Sequence, residues 1–446
     1  MRHSVTARLV VMGGLAVVLL IPLMWVYATV SERASRRDAA AAEISQTWGG
    51  PQVVGGPVLA VPYETMWTDG SGRVQRSVQH AFLLPRDLQI DARLATETRR
   101  RGIFKVPVYR ATMRVVGTFV RPDLQFLKPA ADRVDWDRAT LQLGVTDPRG
   151  IVRRSVVTWR GQQLPLSGGA IDTGLFRSGL TTALPSLVDV TPNAELPFEL
   201  TLEFNGTRDF HLLPTAQETR VSLTSTWPHP SFSGAPLPEA REVTASGFTA
   251  RWNVQEFGRP YPARWSTVDM KRDQLAAQAQ ASAFGVSLVQ PVDVYQQAER
   301  AVKYALLFIV LTFLLFFLWE VFSATLLHPM QYTFVGFAIC VFYLLLVSIS
   351  EHTGFDIAYT VSSTVTILLI AGYARAVLGG VRATASVFAA LATLYGFLYL
   401  LLRLEDYALL AGSIGLFIIL SLVMFITRRM DWYEIKLGQS QPGRDG

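Results

Sequence analysis

Six long apolar runs flank one large polar segment, and this layout limits the possible folds more than any other property of the chain. The first run covers residues 9–30, and five more are crowded into 304–427. Each approaches or exceeds the ~20 apolar residues that carry a helix across ~30 Å of hydrocarbon, and each is nearly free of charge. The expected architecture is a membrane α-helical bundle of six transmembrane helices, one N-terminal and five C-terminal. A large mainly-β domain, sandwich-like and antiparallel, stands between them. The boundaries fall at 1–30 for the first span, 31–303 for the extramembrane domain, 304–427 for the five-helix bundle and 428–446 for a tail.

Charge and cysteine usage narrow the function classes. The net charge of +6 is small for 446 residues and its basic side chains are scattered. A nucleic-acid surface needs a concentrated phosphate-binding patch, so nucleic acid is excluded as a partner. The single cysteine, Cys340, lies inside an apolar run, so the polar domain has no intrachain disulfide and must be held by packing. In that setting the thiol reads as a small buried hydrophobe, not as a nucleophile.

Basic residues beside the spans give an orientation. Arg2 and Arg8 precede the first span, Arg375 and Arg382 bracket the loop between the fourth and fifth, and Arg428, Arg429 and Lys436 follow the sixth. All three clusters then fall on the cytoplasmic side, with both termini inside and the large domain in the periplasm of a bacterial inner membrane. Cleavage of the first run as a signal peptide is the competing reading. The run exceeds the usual signal core and ends in an aromatic belt, Trp25 and Tyr27, which favours an uncleaved anchor.

The first span should continue outward as a helix over 31–48 and stop at Gly49, Gly50 and Pro51. Beyond it, short runs of Val, Leu, Phe and Thr predict strands at 53–63, 74–84, 103–109, 112–119, 140–145, 152–159, 196–205 and 220–226. Turn signals at 68–72 and 147–150 predict hairpins between the runs they join. A surface helix is expected over 269–284, then a short strand at 286–289. Next comes one unbroken helix from Asp293 through the second span to Phe322. Small residues in the fifth and sixth spans suit close helix packing.

Two groups of residues stand out. In the polar domain, Trp227, Pro228, His229, Pro230 and Phe232 form a proline-shaped loop whose aromatics either make an exposed lip or tuck back onto the sheets. At the membrane interfaces lie His328, Gln331, Glu351, His352, Glu405 and Asp406. These strings, with the Val-Val-Gly-Gly-Pro run at 53–57 and the segment 427–433, make the chain similar to the CreD family of bacterial inner-membrane proteins. That resemblance implies a part in cell-envelope integrity or stress response, and it brings no catalytic residue with it.

The alternatives are weaker on chemical grounds. Ser350, Glu351 and His352 are consecutive on a helix and point about 100° apart, so they cannot form a relay. The six histidines lack the short-spaced pairs of a zinc site, and no metal or other cofactor is expected. A carrier or channel needs polar groups at membrane depth. Glu320, Glu351, Asp356 and Arg375 stand near span ends, which leaves Ser362, Thr364, Thr366 and Tyr395 in mid-span. The expectation is a non-enzymatic envelope protein. Its partners are the lipid bilayer and, through the periplasmic loop, a protein, lipid or cell-wall component; the number of copies in the assembly is left open.

Overall fold

The computed structural model describes residues 5–121, 133–171, 173–268, 272–290, 294–323, 326–404 and 407–428. The chain divides into two compact units, one formed by Met1–Arg37 with Val292–Gly446 and the other by Asp38–Pro291.

The helical unit holds α1 (Val5–Val18) and the start of α2 (Leu20–Trp48). Only Leu19 interrupts them, and the ladder continues through it, with the Leu19 amide on the Leu15 carbonyl at 2.9 Å. The β unit follows with β1 (Gln52–Thr68), β2 (Val74–Leu83), β3 (Asp87–Arg101), β4 (Phe104–Val120), β5 (Arg133–Val134), β6 (Thr140–Val145), β7 (Val156–Trp159), β8 (Gln162–Pro165) and β9 (Ser167–Ala170). Then come β10 (Ser178–Ala183), β11 (Glu195–Thr207), β12 (Asp209–Leu212), β13 (Glu218–Ser225), β14 (Pro230–Gly234), β15 (Ala240–Thr244), β16 (Gly247–Gln255), β17 (Arg264–Ser266), α3 (Arg272–Ala281) and β18 (Phe284–Leu288). The chain ends with α4 (Val294–Lys303), α5 (Ala305–Ser323), α6 (Pro329–Thr353), α7 (Phe355–Leu378), α8 (Val381–Arg403) and α9 (Ala408–Thr427).

Among the described residues, six helices are long and apolar enough to cross a membrane: the α1–α2 helix and α5 to α9. As the composition requires, α2 runs on to Trp48. It ends where Gly49 takes φ +131°, a conformation that a side chain would resist.

Strands β1 to β18 form two sheets. One has the order β14-β18-β12-β1-β6-β10-β9, with β2 and β5 also paired to β1 and β17 paired to β2, and the other has the order β15-β16-β13-β3-β4-β11-β7-β8. Their facing sides share one core. Leu59, Val61, Leu143, Phe210 and Phe284 come from the first sheet, and Ile90, Val115, Leu200, Phe204 and Trp252 from the second. Alternation sets which side chains enter it: along β16, Phe248, Ala250, Trp252 and Val254 are buried while the residues between them face out. β1 departs from that rule because both its faces are covered. Val58 and Ala60 point the other way, into a second cluster with Trp265, Tyr261 and Leu275 of α3.

The two-sheet architecture matches the expectation, with corrections in detail. β1 with β12 and β13 with β3 pair in parallel, so the sheets are mixed and not purely antiparallel. Runs 103–109 and 112–119 are one strand, β4, because inward and outward positions keep alternating through Arg110 and Ala111. Segment 147–150 is a 3-10 turn that carries the chain from one sheet to the other: β6 pairs with β1 and β10, whereas β7 pairs with β11 and β8. The expected continuous helix into the second span breaks at Tyr304, where the amide bonds to the Ala301 carbonyl at 3.1 Å in place of the usual fourth-residue partner. The expected start of that helix, Asp293, lies outside the described residues.

Candidate functional site

The proline-flanked segment occupies an edge of the first sheet. Pro230 opens β14, the outermost strand, where a residue without an amide proton leaves no ladder bond unmade. The aromatic rings do not form a lip. Phe232 meets Phe248 edge-on at 5.4 Å and Trp252 at 6.0 Å, and the Trp227 indole donates to the Val289 carbonyl at 2.9 Å. Both side chains are partly buried against the shared core, and His229 and Ser231 are left exposed. Behind Phe232, the His211 ring Nε2 lies 2.9 Å from the Ser233 hydroxyl, and burial pushes the His211 pKa down against the weaker pull of Asp209. An open groove of about 550 Å³ reaches Thr226, the residue before Trp227, and is lined also by Arg93, Glu242, Thr244, Ser246 and Phe248.

The polar residues at the helix ends are put to several uses. His328 caps α6: its Nδ1 accepts from the Met330 amide at 3.2 Å, while the Gln331 side-chain oxygen accepts from the His328 amide at 2.9 Å. Glu351, near the other end of α6, is almost fully covered. It accepts from the Tyr295 hydroxyl at 3.1 Å and meets Arg33 at 3.5 Å. Burial first, and then the Glu351 carboxylate, push the Tyr295 hydroxyl pKa up. His352 turns away from both; its ring Nδ1 is 3.2 Å from the Ser348 carbonyl of its own helix. Ser350, also a neighbour in sequence, donates to the Val347 carbonyl at 2.8 Å, so the three consecutive residues form no relay. Glu405 and Asp406 lie outside the described residues.

Glu320 stands near the end of α5, as expected, but away from water. Its side chain is fully buried and pairs with Arg8 of α1. The Tyr332 hydroxyl and the Leu327 amide donate to the same carboxylate at 2.9 and 3.3 Å. The sequence signal was a lone acid inside an apolar run, and a carboxylate in such a place needs a partner. Of the mid-span hydroxyls, Ser362, Thr366 and Tyr395 are buried and Thr364 is exposed. Among the described residues, no three His, Cys, Asp or Glu side chains converge where a metal ion could be held.

One apolar helix, then a large two-sheet unit, then five more apolar helices: this order along the chain defines a multi-pass membrane protein with a β domain inserted after its first helix. The chain belongs to the CreD family, whose model, described as inner membrane protein CreD, matches residues 4–433. It is 34% identical over 437 residues to inner membrane protein CreD of Escherichia coli (strain K12), covering 97% of this chain and 94% of that one. It is thus a multi-pass protein of the inner membrane, in contact with the lipid bilayer. Among solved structures, an M1 zinc metallopeptidase of Deinococcus radiodurans and a point mutant of that enzyme each align at a TM-score of 0.21. Identities are 10% and 11% and coverage is 41% and 38% of this chain and 40% and 38% of the other, a likeness too slight to carry any argument.

Proposed function

We propose that this chain is a non-enzymatic protein supporting the integrity of the bacterial cell envelope or its stress response. In this reading residues 31–303 form a periplasmic domain, 304–427 anchor it as a bundle, and both termini are cytoplasmic. The observation that carries it is the division of labour in the molecule. The polar groups that could do chemistry, Glu320, Glu351 and His328, are engaged in structural bonds. The β unit, by contrast, presents an open groove and an exposed sheet edge at His229 and Ser231. An edge strand with free backbone groups beside such a groove suits an extended peptide or a wall component better than a buried substrate.

The test is crosslinking in intact cells from a photoreactive residue at position 229, combined with labelling of a cysteine introduced at Ser231. Cys340 is buried, so the new thiol is the reactive one. Labelling of whole cells by a membrane-impermeant reagent, with one recurrent crosslinked species, is the expected result. Labelling only after lysis would put the domain in the cytosol and end this reading.

The carrier or channel reading rests on the buried hydroxyls Ser362, Thr366 and Tyr395. It requires saturable solute flux in proteoliposomes that disappears when those hydroxyls are removed.

A further inference from the structure

Hydroxyls in apolar helices usually satisfy themselves on a carbonyl one turn back along their own helix. In the bundle Ser350, Thr360, Ser363, Ser386 and Thr393 all do so, at 2.8 to 3.2 Å. Thr312 and Ser362 do not: both hydroxyls are buried and without a partner, and so are those of Tyr343 and Tyr395. These four come from four different helices. Their residues are 1%, 0%, 0% and 3% exposed respectively, so lipid and bulk water do not reach them.

They also share a level. Thr312 follows the α5 start at Ala305, and Ser362 follows the α7 start at Phe355. Tyr343 precedes the α6 end at Thr353, and Tyr395 precedes the α8 end at Arg403. At ~1.5 Å per residue, their Cα atoms all lie roughly 10–15 Å from the same end of the bundle. That end is tied together by Arg403 with Asp356 at 2.8 Å and by Tyr295 with Glu351 at 3.1 Å.

Residues beside the four meet one another across the helices. Phe308, one turn before Thr312 on the same face, meets the Tyr395 ring at 6.0 Å. Tyr359, one turn before Ser362, donates to the Tyr395 carbonyl at 2.6 Å. Phe342 packs on Tyr395 at 4.8 Å and on its neighbour Tyr343 at the same separation.

We propose that the hydroxyls of Thr312, Tyr343, Ser362 and Tyr395 form an internal binding site for water, in which one or a few molecules hydrogen-bond across α5, α6, α7 and α8. A buried water makes about three hydrogen bonds, typically to protein groups that would otherwise go unpaired, and four hydroxyls from four walls supply that number. The ligand is neutral. The acids and bases of these helices are Glu320, Glu351, His352, Asp356, Arg375, Arg382 and Arg403, none within one turn of the four hydroxyls, so no counter-charge offsets the burial of an ion. Water held there would add a polar tie common to all four spans, beside the pairwise bonds between α5 and α6 and between α7 and α8.

Two measurements on the full chain in nanodiscs test this. Thr312→Val, Ser362→Ala, Tyr343→Phe and Tyr395→Phe should each lower Tm by about 2–4 °C. The Thr312→Val/Ser362→Ala pair should lose less than the sum of its parts, because both act through the same water. If single variants are neutral or more stable, the hydroxyls are dry and the proposal is overturned, since deleting an unpaired polar group relieves a cost. Radiolytic footprinting of the unaltered protein gives an answer independent of folding in the variants. Tyr343 and Tyr395 should be oxidised faster than the equally buried Phe342, and equal protection of all three would overturn the site. A rise in Tm of the unaltered protein on replacing choline with sodium or potassium, absent in Ser362→Ala, would assign the site to a cation and overturn neutrality.

Discussion

Arg8 near the start of α1 forms an ion pair with Glu320 near the end of α5, and the Tyr332 hydroxyl donates to the same carboxylate at 2.9 Å. The Glu320 side chain is fully buried, whereas Arg8 keeps 19% of its exposure. Removing the acid therefore strands a partly covered guanidinium. Glu320→Ala should cost about 3 kcal/mol, the lower end for breaking a buried pair. Arg8→Ala, which leaves the carboxylate uncompensated, should cost at least as much. The double variant should recover part of the loss, read as Tm in detergent; strictly additive losses would show that the two charges do not interact.

Phe232 tests the packing at the sheet edge. Its ring is wedged against Phe248 and Trp252 at 5.4 and 6.0 Å. Phe232→Ala should destabilise the β unit by roughly 2–3 kcal/mol, somewhat below the usual range for a fully buried ring. A protruding contact residue would leave the thermal midpoint unchanged on truncation, so the Trp fluorescence melt of the full chain separates the two.

His211 makes the β unit sensitive to acid. Its pKa is pushed below the ordinary 6.5, chiefly by burial. Above that value the ring is neutral in both folded and unfolded states and contributes no penalty. As pH falls below it, the unfolded chain takes up a proton that the folded ring resists, so stability declines. His211→Gln should flatten the loss of Tm between pH 7 and pH 5, and an unchanged slope would assign the acid sensitivity to other groups.

Asp147 fixes the chain where it leaves α2. Its carboxylate accepts from the Gly50 amide at 2.9 Å and from Arg149 Nε and Nη2 at 2.8 and 2.9 Å. Hydrogen bonds from Arg149, more than that from Gly50, hold the acid below the ordinary carboxylate range. Its contribution is thus present at neutral pH and lost as the group is protonated in acid. Asp147→Ala should cost roughly 1–3 kcal/mol at pH 7, and the gap from the unaltered protein should narrow as the pH is lowered. A gap that stays constant would mean the ionised form is not what matters.

Composition alone made the six apolar helices legible, because crossing lipid demands a property that every residue in the run displays. Strands were legible where local alternation was strong, as in 140–145 or 196–205. β3 was passed over because the polar run at Arg99, Arg100 and Arg101 masks the inward set Leu88, Ile90, Ala92 and Leu94. β16 carries a readable alternation too, with Phe248, Ala250, Trp252 and Val254 on the inward side. Pairing partners were out of reach. Turn chemistry at Asp147 says that the chain turns there, but not that β7 joins the other sheet. At the candidate site the prolines point to a loop, whereas Pro230 to Gly234 form the edge strand β14, and the destination of the Phe232 ring depends on β16 of the other sheet. Likewise Glu320 was visible as an acid, but its pairing with Arg8 joins opposite ends of the sequence.

α9 buries none of its side chains, although Gly415 gives room to the Phe397 ring of α8. Its identity as a span is therefore set by oiliness and length, and most of its apolar residues can be exchanged for others of like character without disturbing the interior of its neighbours. It nonetheless changes the parity of the count. Among the described residues the helices able to cross number six with α9 and five without it, so a truncation after Leu404 should reverse the compartment in which the chain ends while leaving the rest of the bundle essentially intact.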